Sequence, residues 1–207
     1  MRRLPILPTL VVALAVAAMI GLGFWQLGRA RWKADLLASY KAGANAPPLY
    51  GLPVGMALDA LAFRRTHILC RITTAPIVLG GTDREGRTGF RNIVGCALID
   101  GRVIMADIGW SPVGTTPVVP GIGQRIEADG RLIPDTVLAR RVLREAKGAT
   151  PLLLVVEGAA PNLSPSVAPS IESIPNNHLS YAVQWFLFAG VAAIIYLLAL
   201  RKRNRHG

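Results

Sequence analysis

The sequence predicts a membrane protein of the α+β class: two transmembrane helices bracketing a small antiparallel β-rich extracytoplasmic domain. Three observations predict it. Residues 4–28 and 173–200 contain no Asp, Glu, Lys or Arg. Basic residues follow or precede both stretches at the outer ends of the chain. Between them, apolar runs are short, often β-branched, and separated by turn residues. The composition agrees. Of the 207 residues 52% are hydrophobic and only 17% are charged, against roughly 25% charged in soluble domains. So much apolar content excludes a disordered chain. Its concentration at the two ends excludes a simple soluble enzyme.

Residues 6–27 and 179–200 each suffice to cross a bilayer, because a core of ~30 Å needs about 20 residues at ~1.5 Å per residue. Trp25 lies late in the first stretch, and Tyr181 and Trp185 lie early in the second. Aromatic rings favour the membrane–water boundary, so an antiparallel pair puts these three on one side. A cleaved signal peptide carries an apolar region of only ~7–15 residues and a small-residue cleavage site. The first stretch is longer and has no clean site of that kind, so it reads as an uncleaved anchor.

Orientation follows from the flanks. Arg2 and Arg3 precede the first span, and Arg201, Lys202, Arg203 and Arg205 follow the second. Arg29, Arg31 and Lys33 oppose this pattern, but long translocated domains count little toward the rule. Both tails are therefore expected in the cytoplasm and the central domain in the periplasm. The tails hold six of the 23 basic residues, while residues 29–178 hold 17 basic and all 12 acidic ones. The net charge of +11 is thus largely a membrane-flank property. No basic stripe or recognised module points to nucleic acid. The resulting division is a tail at 1–5, a helix at 6–28, a domain at 29–172, a second helix with its entry segment at 173–200, and a basic tail at 201–207.

Within the domain, residues 29–43 continue the first helix, with Trp32, Leu36, Leu37 and Tyr40 at helical spacing. A Pro- and Gly-rich link follows at 45–55, then a short helix at 57–63. Strands are expected at 67–73, 76–79, 90–99, 102–108, 125–133 and 152–157. Asp100-Gly101 between two apolar runs marks a hairpin. Asp129-Gly130 interrupts another run as a turn or bulge. Residues 164–175, rich in Pro and Ser, form a linker back to the membrane. Cys70 and Cys96 sit in apolar runs. A disulfide is permitted outside the cytoplasm and two buried thiols are equally compatible; the expectation is that they are reduced or dispensable. There is no C-x-x-C, nucleophile elbow, zincin helix or P-loop. His67 and Cys70 would face opposite sides of a strand. With only His67 in the domain, an enzyme reading has little support.

The boundary segments carry the candidate site. His178, Tyr181, Ala182 and Trp185 share one face of a helix, where a flat apolar ring could lie with its metal over the imidazole. An interfacial histidine in an aromatic belt would use the same residues. Trp25, Arg29, Trp32 and Leu36 share a face at the exit of the first span. Its cations can pair with carboxylates or anchor to lipid phosphates. Gly21, Gly23 and Gly28 permit close helix approach.

Three segments resemble the surfeit-locus-one family of cytochrome c oxidase biogenesis proteins, in its bacterial form. They are Gly21-Leu-Gly-Phe-Trp25-Gln26-x-x-Arg29-x-x-Trp32-Lys33, then Gly109-Trp110-Ser111-Pro112, then Pro175-Asn176-Asn177-His178-Leu179-x-Tyr181-x-x-x-Trp185-Phe186. Order and spacing match over the whole chain. The match departs at Ile108, where the family usually has Arg. The resemblance implies a non-enzymatic assembly factor in the inner membrane, multi-pass, serving the catalytic subunit of a haem-copper oxidase. It implies transiently bound haem a, with His178 as the axial ligand of the iron. Tyr181, Trp185 and Trp25 would then cover the ring, and Arg29 or Lys33 would meet the propionates. Haem a synthase is a further implied partner. The alternative is a scaffold or chaperone of oxidase subunits without bound cofactor.

Overall fold

The computed structural model describes residues 5–144 and 146–205. The tail residues Arg2 and Arg3, used above for orientation, lie outside them. The chain divides into two compact units, one of Ala38–Ser173 and one of the residues on either side.

The outer unit consists of two long helices. The first, α1, runs Ile6–Asn45, so the expected continuation past the apolar stretch is observed. The last helix, α4, runs His178–Arg205. They pair antiparallel through seams in which half-buried or buried residues recur every three or four positions. On α1 these are Thr9, Val12, Val16, Met19, Gly23 and Gln26; on α4 they are His178, Ala182, Trp185, Ala189, Ala193 and Tyr196. That spacing puts them on one face of each helix. Small residues set the approach. A Cβ on Gly23 would lie 2.6 Å from Cε1 of Phe186, so a larger residue there would have to displace that ring. Gly21 and Gly28 face open space. Phe24 meets Phe186 edge to face at 5.4 Å. At the far end Thr9 Oγ1 donates to Pro5 O, so the hydroxyl of Tyr196 must be the donor in its 2.5 Å bond to Thr9.

The central unit is a closed barrel. Its elements are β1 (Leu49–Tyr50), α2 (Leu58–Leu61), β2 (Arg65–Ile72), β3 (Ile77–Thr82), β4 (Thr88–Leu98), β5 (Val103–Pro112), β6 (Arg125–Pro134), α3 (Thr136–Val142) and β7 (Ala149–Val156). The sheet order is β1-β2-β6-β7-β5-β4-β3, and β2 also pairs with β4. That extra pairing joins β2, β6, β7, β5 and β4 into a ring. β3 extends the sheet beyond β4, and β1 adds to β2.

The expected sheet was antiparallel throughout; the observed one is mixed. β5–β7 and β1–β2 are parallel. The reason is arithmetic. Strand directions cannot alternate all the way around a ring with an odd number of members, so a five-strand ring needs at least one parallel pair. Inward side chains fill the ring: Ile68, Cys70 and Ile72, Val94 and Cys96, Ile104, Ala106 and Ile108, Leu132, Leu152 and Leu154. A second core lies outside it, where Ala139, Val142 and Leu143 cover Ile93, Val103, Met105, Leu153 and Val155. β5 is therefore buried on both faces. The covering element, α3, was not anticipated from the sequence. Asp135 caps it by accepting from Leu138 N at 2.8 Å, a signal that Asp135 followed by a helix-compatible run could have supplied.

Two further expectations are corrected. Asp129-Gly130 is neither turn nor bulge but lies inside β6. Gly130 is needed because a Cβ there would come within 2.6 Å of Val155 O on β7. The cysteines are not reduced: Cys70 and Cys96 form a disulfide. Both point inward across the β2–β4 seam, which has only three registered pairs, Cys70↔Leu98, Arg71↔Ala97 and Ile72↔Cys96. The bond joins diagonal neighbours where the ring closes. The link spans 26 residues of chain, which on the chain-entropy account contributes about 3–4 kcal/mol. Cys70→Ala/Cys96→Ala is expected to lose about that much stability by denaturant unfolding. Thiol labelling of the denatured wild type is expected only after prior reduction.

Candidate functional site

The site begins with the start of α4. Tyr181 N bonds to Asn177 O at 3.2 Å, which closes the first turn and sets His178 at the helix entrance. The imidazole is half-buried, and His178 Nδ1 lies 2.8 Å from Oε1 of Gln26 on α1. The two side chains are at hydrogen-bond distance, and which one donates follows from the tautomer of the ring and the way the amide is turned. One turn below His178, Ala182 is fully buried in the seam.

The structure treats the other sequence-predicted residues differently. Trp185 is half-buried and meets Phe188 edge-on at 6.2 Å. Tyr181 is 50% exposed and Trp25 57% exposed, so both rings flank the seam rather than fill it. The guanidinium of Arg29 sits 4.3 Å above the ring of Trp32, a cation–π contact. Trp25 or Arg29 was the expected neighbour of His178 on the first helix; Gln26 is the residue found at hydrogen-bond distance. Gln26 stood in the quoted motif but was given no role. The missed signal was a polar side chain in an otherwise apolar span, three residues from a seam glycine.

The barrel holds two polar clusters. Asp107, on β5, is fully buried. It accepts from Arg91 Nε at 2.7 Å, Ser166 Oγ at 2.9 Å and Gly109 N at 3.1 Å. Burial pushes its carboxyl above the usual range, against the opposing pull of Arg91. Ser166 belongs to the stretch expected as a linker. That stretch is instead strapped to the barrel: Trp110 and Ser164 exchange two backbone bonds, Trp110 N to Ser164 O at 2.7 Å and Ser164 N to Trp110 O at 2.9 Å. Trp110 is buried, and its Nε1 donates to Gly81 O at 3.2 Å.

His67 lies on the outer face of β2 between Asp129 at 3.1 Å and Glu127 at 3.0 Å. Its hydrogen bonds to Asp129 and then Glu127 hold its pKa above the ordinary value. A raised folded-state pKa stabilises below the unfolded value of ~6.5 and loses that contribution as pH rises through the folded value. Wild type is therefore expected to unfold at a higher temperature than His67→Gln near pH ~5.5, with the gap closing in mildly alkaline buffer. A gap independent of pH would count against the assignment. Among the described residues, no group of three or more His, Cys, Asp or Glu has the placement to hold a metal ion.

Fold and site together define a class of protein: a small β-barrel whose chain enters and leaves through two long apolar helices, with one imidazole clasped between those helices. This chain belongs to the SURF1 family, whose sequence profile matches residues 13–190. It is 25% identical over 220 residues to a SURF1-like protein of Rickettsia felis, an alignment covering 93% of this chain and 96% of that protein.

Proposed function

We propose that this chain holds haem a at the membrane boundary for insertion into the catalytic subunit of a cytochrome c oxidase. The family is linked in general to cytochrome oxidase assembly. The finer reading rests on one observation: a single imidazole, half-buried between two apolar helices, at the entrance of the second. The donor suits the cargo, since a neutral imidazole nitrogen is a common axial ligand of haem iron. Haem a is apolar apart from its propionates and would aggregate in water. In this reading His178 holds the iron, Tyr181, Trp185 and Trp25 shield the ring, and Arg29 or Lys33 meets the propionates. No reaction is assigned to the chain.

Membrane insertion is supported by the helix surfaces. In the most apolar stretch of each long helix only 6% is buried, unlike the core helix of a soluble protein. Ile6, Leu14, Leu187, Ile195 and Leu198 are all exposed, and lipid is the medium that suits them. The Cys70–Cys96 disulfide favours an oxidising compartment for the barrel. The topology we infer has both tails in the cytoplasm and the barrel in the periplasm of a bacterial inner membrane. A reporter active only in the periplasm is expected to work when fused at Gly121 and to be silent at Gly207; the reverse pattern would invert the orientation.

The cofactor reading is tested by purifying the full chain from cells that make haem a. Haem a content and co-purifying oxidase subunit are measured together. Both are expected. Subunit without haem would favour a scaffold, and haem a synthase is a further partner to probe in the same sample.

A further inference from the structure

We infer that Gln26 is a positioning residue: it fixes the proton of His178 on Nδ1 and leaves Nε2 as the only free donor atom of the ring. The metal-binding side of this inference rests on the haem reading above. The tautomer itself does not.

The argument starts from donor and acceptor chemistry. The Oε1–Nδ1 distance is 2.8 Å. With Oε1 turned to the ring, the amide has no proton to give there, so the shared proton belongs to Nδ1. A neutral imidazole has one N–H. Assigning it to Nδ1 strips Nε2 of its proton. In water the ring could exchange between tautomers; with Oε1 turned to the ring, the other tautomer would leave two acceptors facing each other at a cost of ~1–3 kcal/mol, unless the amide turned over to donate its NH2 to Nδ1. The packing keeps the pair in register. Gly23 lies one turn before Gln26, and a Cβ there would press on the ring of Phe186 at 2.6 Å. Sliding either helix by one turn, ~5.4 Å, would separate amide from imidazole. Metal-binding histidines commonly have their second nitrogen held by an acceptor in this manner, which orients the ring and raises its basicity.

A merely structural bond between helices predicts loss of stability when Gln26 changes, and nothing about protons. The positioning role predicts a change in tautomer. The test uses the full chain in lipid nanodiscs with nitrogen-15-labelled histidine, at a pH where the ring is neutral. The His178 signal is identified by its loss in His178→Ala. Wild type is expected to show Nδ1 protonated and Nε2 free. Gln26→Met keeps length and removes the strong acceptor; its ring is expected to populate the Nε2-protonated form. Gln26→Glu keeps an acceptor oxygen in place and is expected to restore the wild-type pattern.

Ferric haem a is then titrated into each protein and followed by absorbance. Gln26→Met is expected to bind ~10–100-fold more weakly, and Gln26→Glu close to wild type with a lowered haem potential. An unchanged tautomer in Gln26→Met, or no recovery in Gln26→Glu, overturns the inference. If the tautomer shifts as expected but His178→Ala binds ferric haem a as wild type does, the positioning stands and the haem reading fails.

Discussion

His178→Ala is expected to abolish stable haem a binding while leaving the protein in the membrane. Loss of an acceptor behind a ligand costs ~10–100-fold in metal affinity, so loss of the ligand itself is expected to exceed ~100-fold. Alanine suits any helix position, and the seam contacts of Ala182, Phe186 and Ala189 lie beyond the change. Chain abundance and insertion should therefore hold. The absorbance of any haem that remains should change, because a different axial group or none meets the iron. Oxidase activity should fall while oxidase subunit protein is still made. Tyr181→Ala should weaken binding less, since that ring is half-exposed and supplies contact rather than a bond to iron. Full haem a content with an unaltered spectrum in His178→Ala would falsify the ligand assignment.

Arg91→Ala is expected to destabilise the barrel by about 3–5 kcal/mol, the usual consequence of leaving a buried carboxylate without its cation. Asp107 has no exposed surface of its own, and Arg91 Nε is the charged partner among its three donors. The deficit should depend on pH in a defined direction. Burial already raises the Asp107 pKa against the pull of Arg91, and removing Arg91 raises it further. A folded-state pKa above the unfolded one means the folded protein binds the extra proton. Stability of the variant should then rise as pH falls through that value and decline as pH climbs back through it. Arg91→Ala/Asp107→Asn should recover much of the loss, because the neutral amide leaves no unpaired charge. Denaturant unfolding of wild type, Arg91→Ala and the double variant across pH reads this directly. A loss in Arg91→Ala that Asp107→Asn does not relieve would point to packing of the arginine stem instead.

Much of the architecture was legible along the chain because it depends on neighbours in sequence. Charge-free stretches mark the long helices, and alternation with turn residues marks the strands. The Asp100-Gly101 hairpin between β4 and β5 falls where two residues alone dictate it. The errors have a common cause. Gly130 reads as a turn residue until β7 is placed against it. Cys70 and Cys96 read equally well as a disulfide or as two buried thiols until β2 meets β4. Residues around Ser166 read as a linker until a buried carboxylate on β5 requires their hydroxyl. In each case the deciding partner is distant in sequence, and no local pattern carries its position.

The candidate site divides in the same way. His178 was singled out from its place at the start of an apolar run, together with the aromatics on its helical face. That much follows from spacing, because helix periodicity is a local property. Which residue faces the imidazole depends on how two helices far apart in sequence slide and rotate against each other; Gln26 and His178 are 152 positions apart. Gly23 and Phe186 meet within this pair, and Gln26 rather than Trp25 or Arg29 lies at hydrogen-bond distance from the imidazole. The sequence by itself determined the two apolar helices, the strand-rich segment between them and the histidine at the boundary. Only the tertiary structure decided the ring closure, the disulfide and the partner of His178, because each is a contact between surfaces whose register is set by packing rather than by the order of residues.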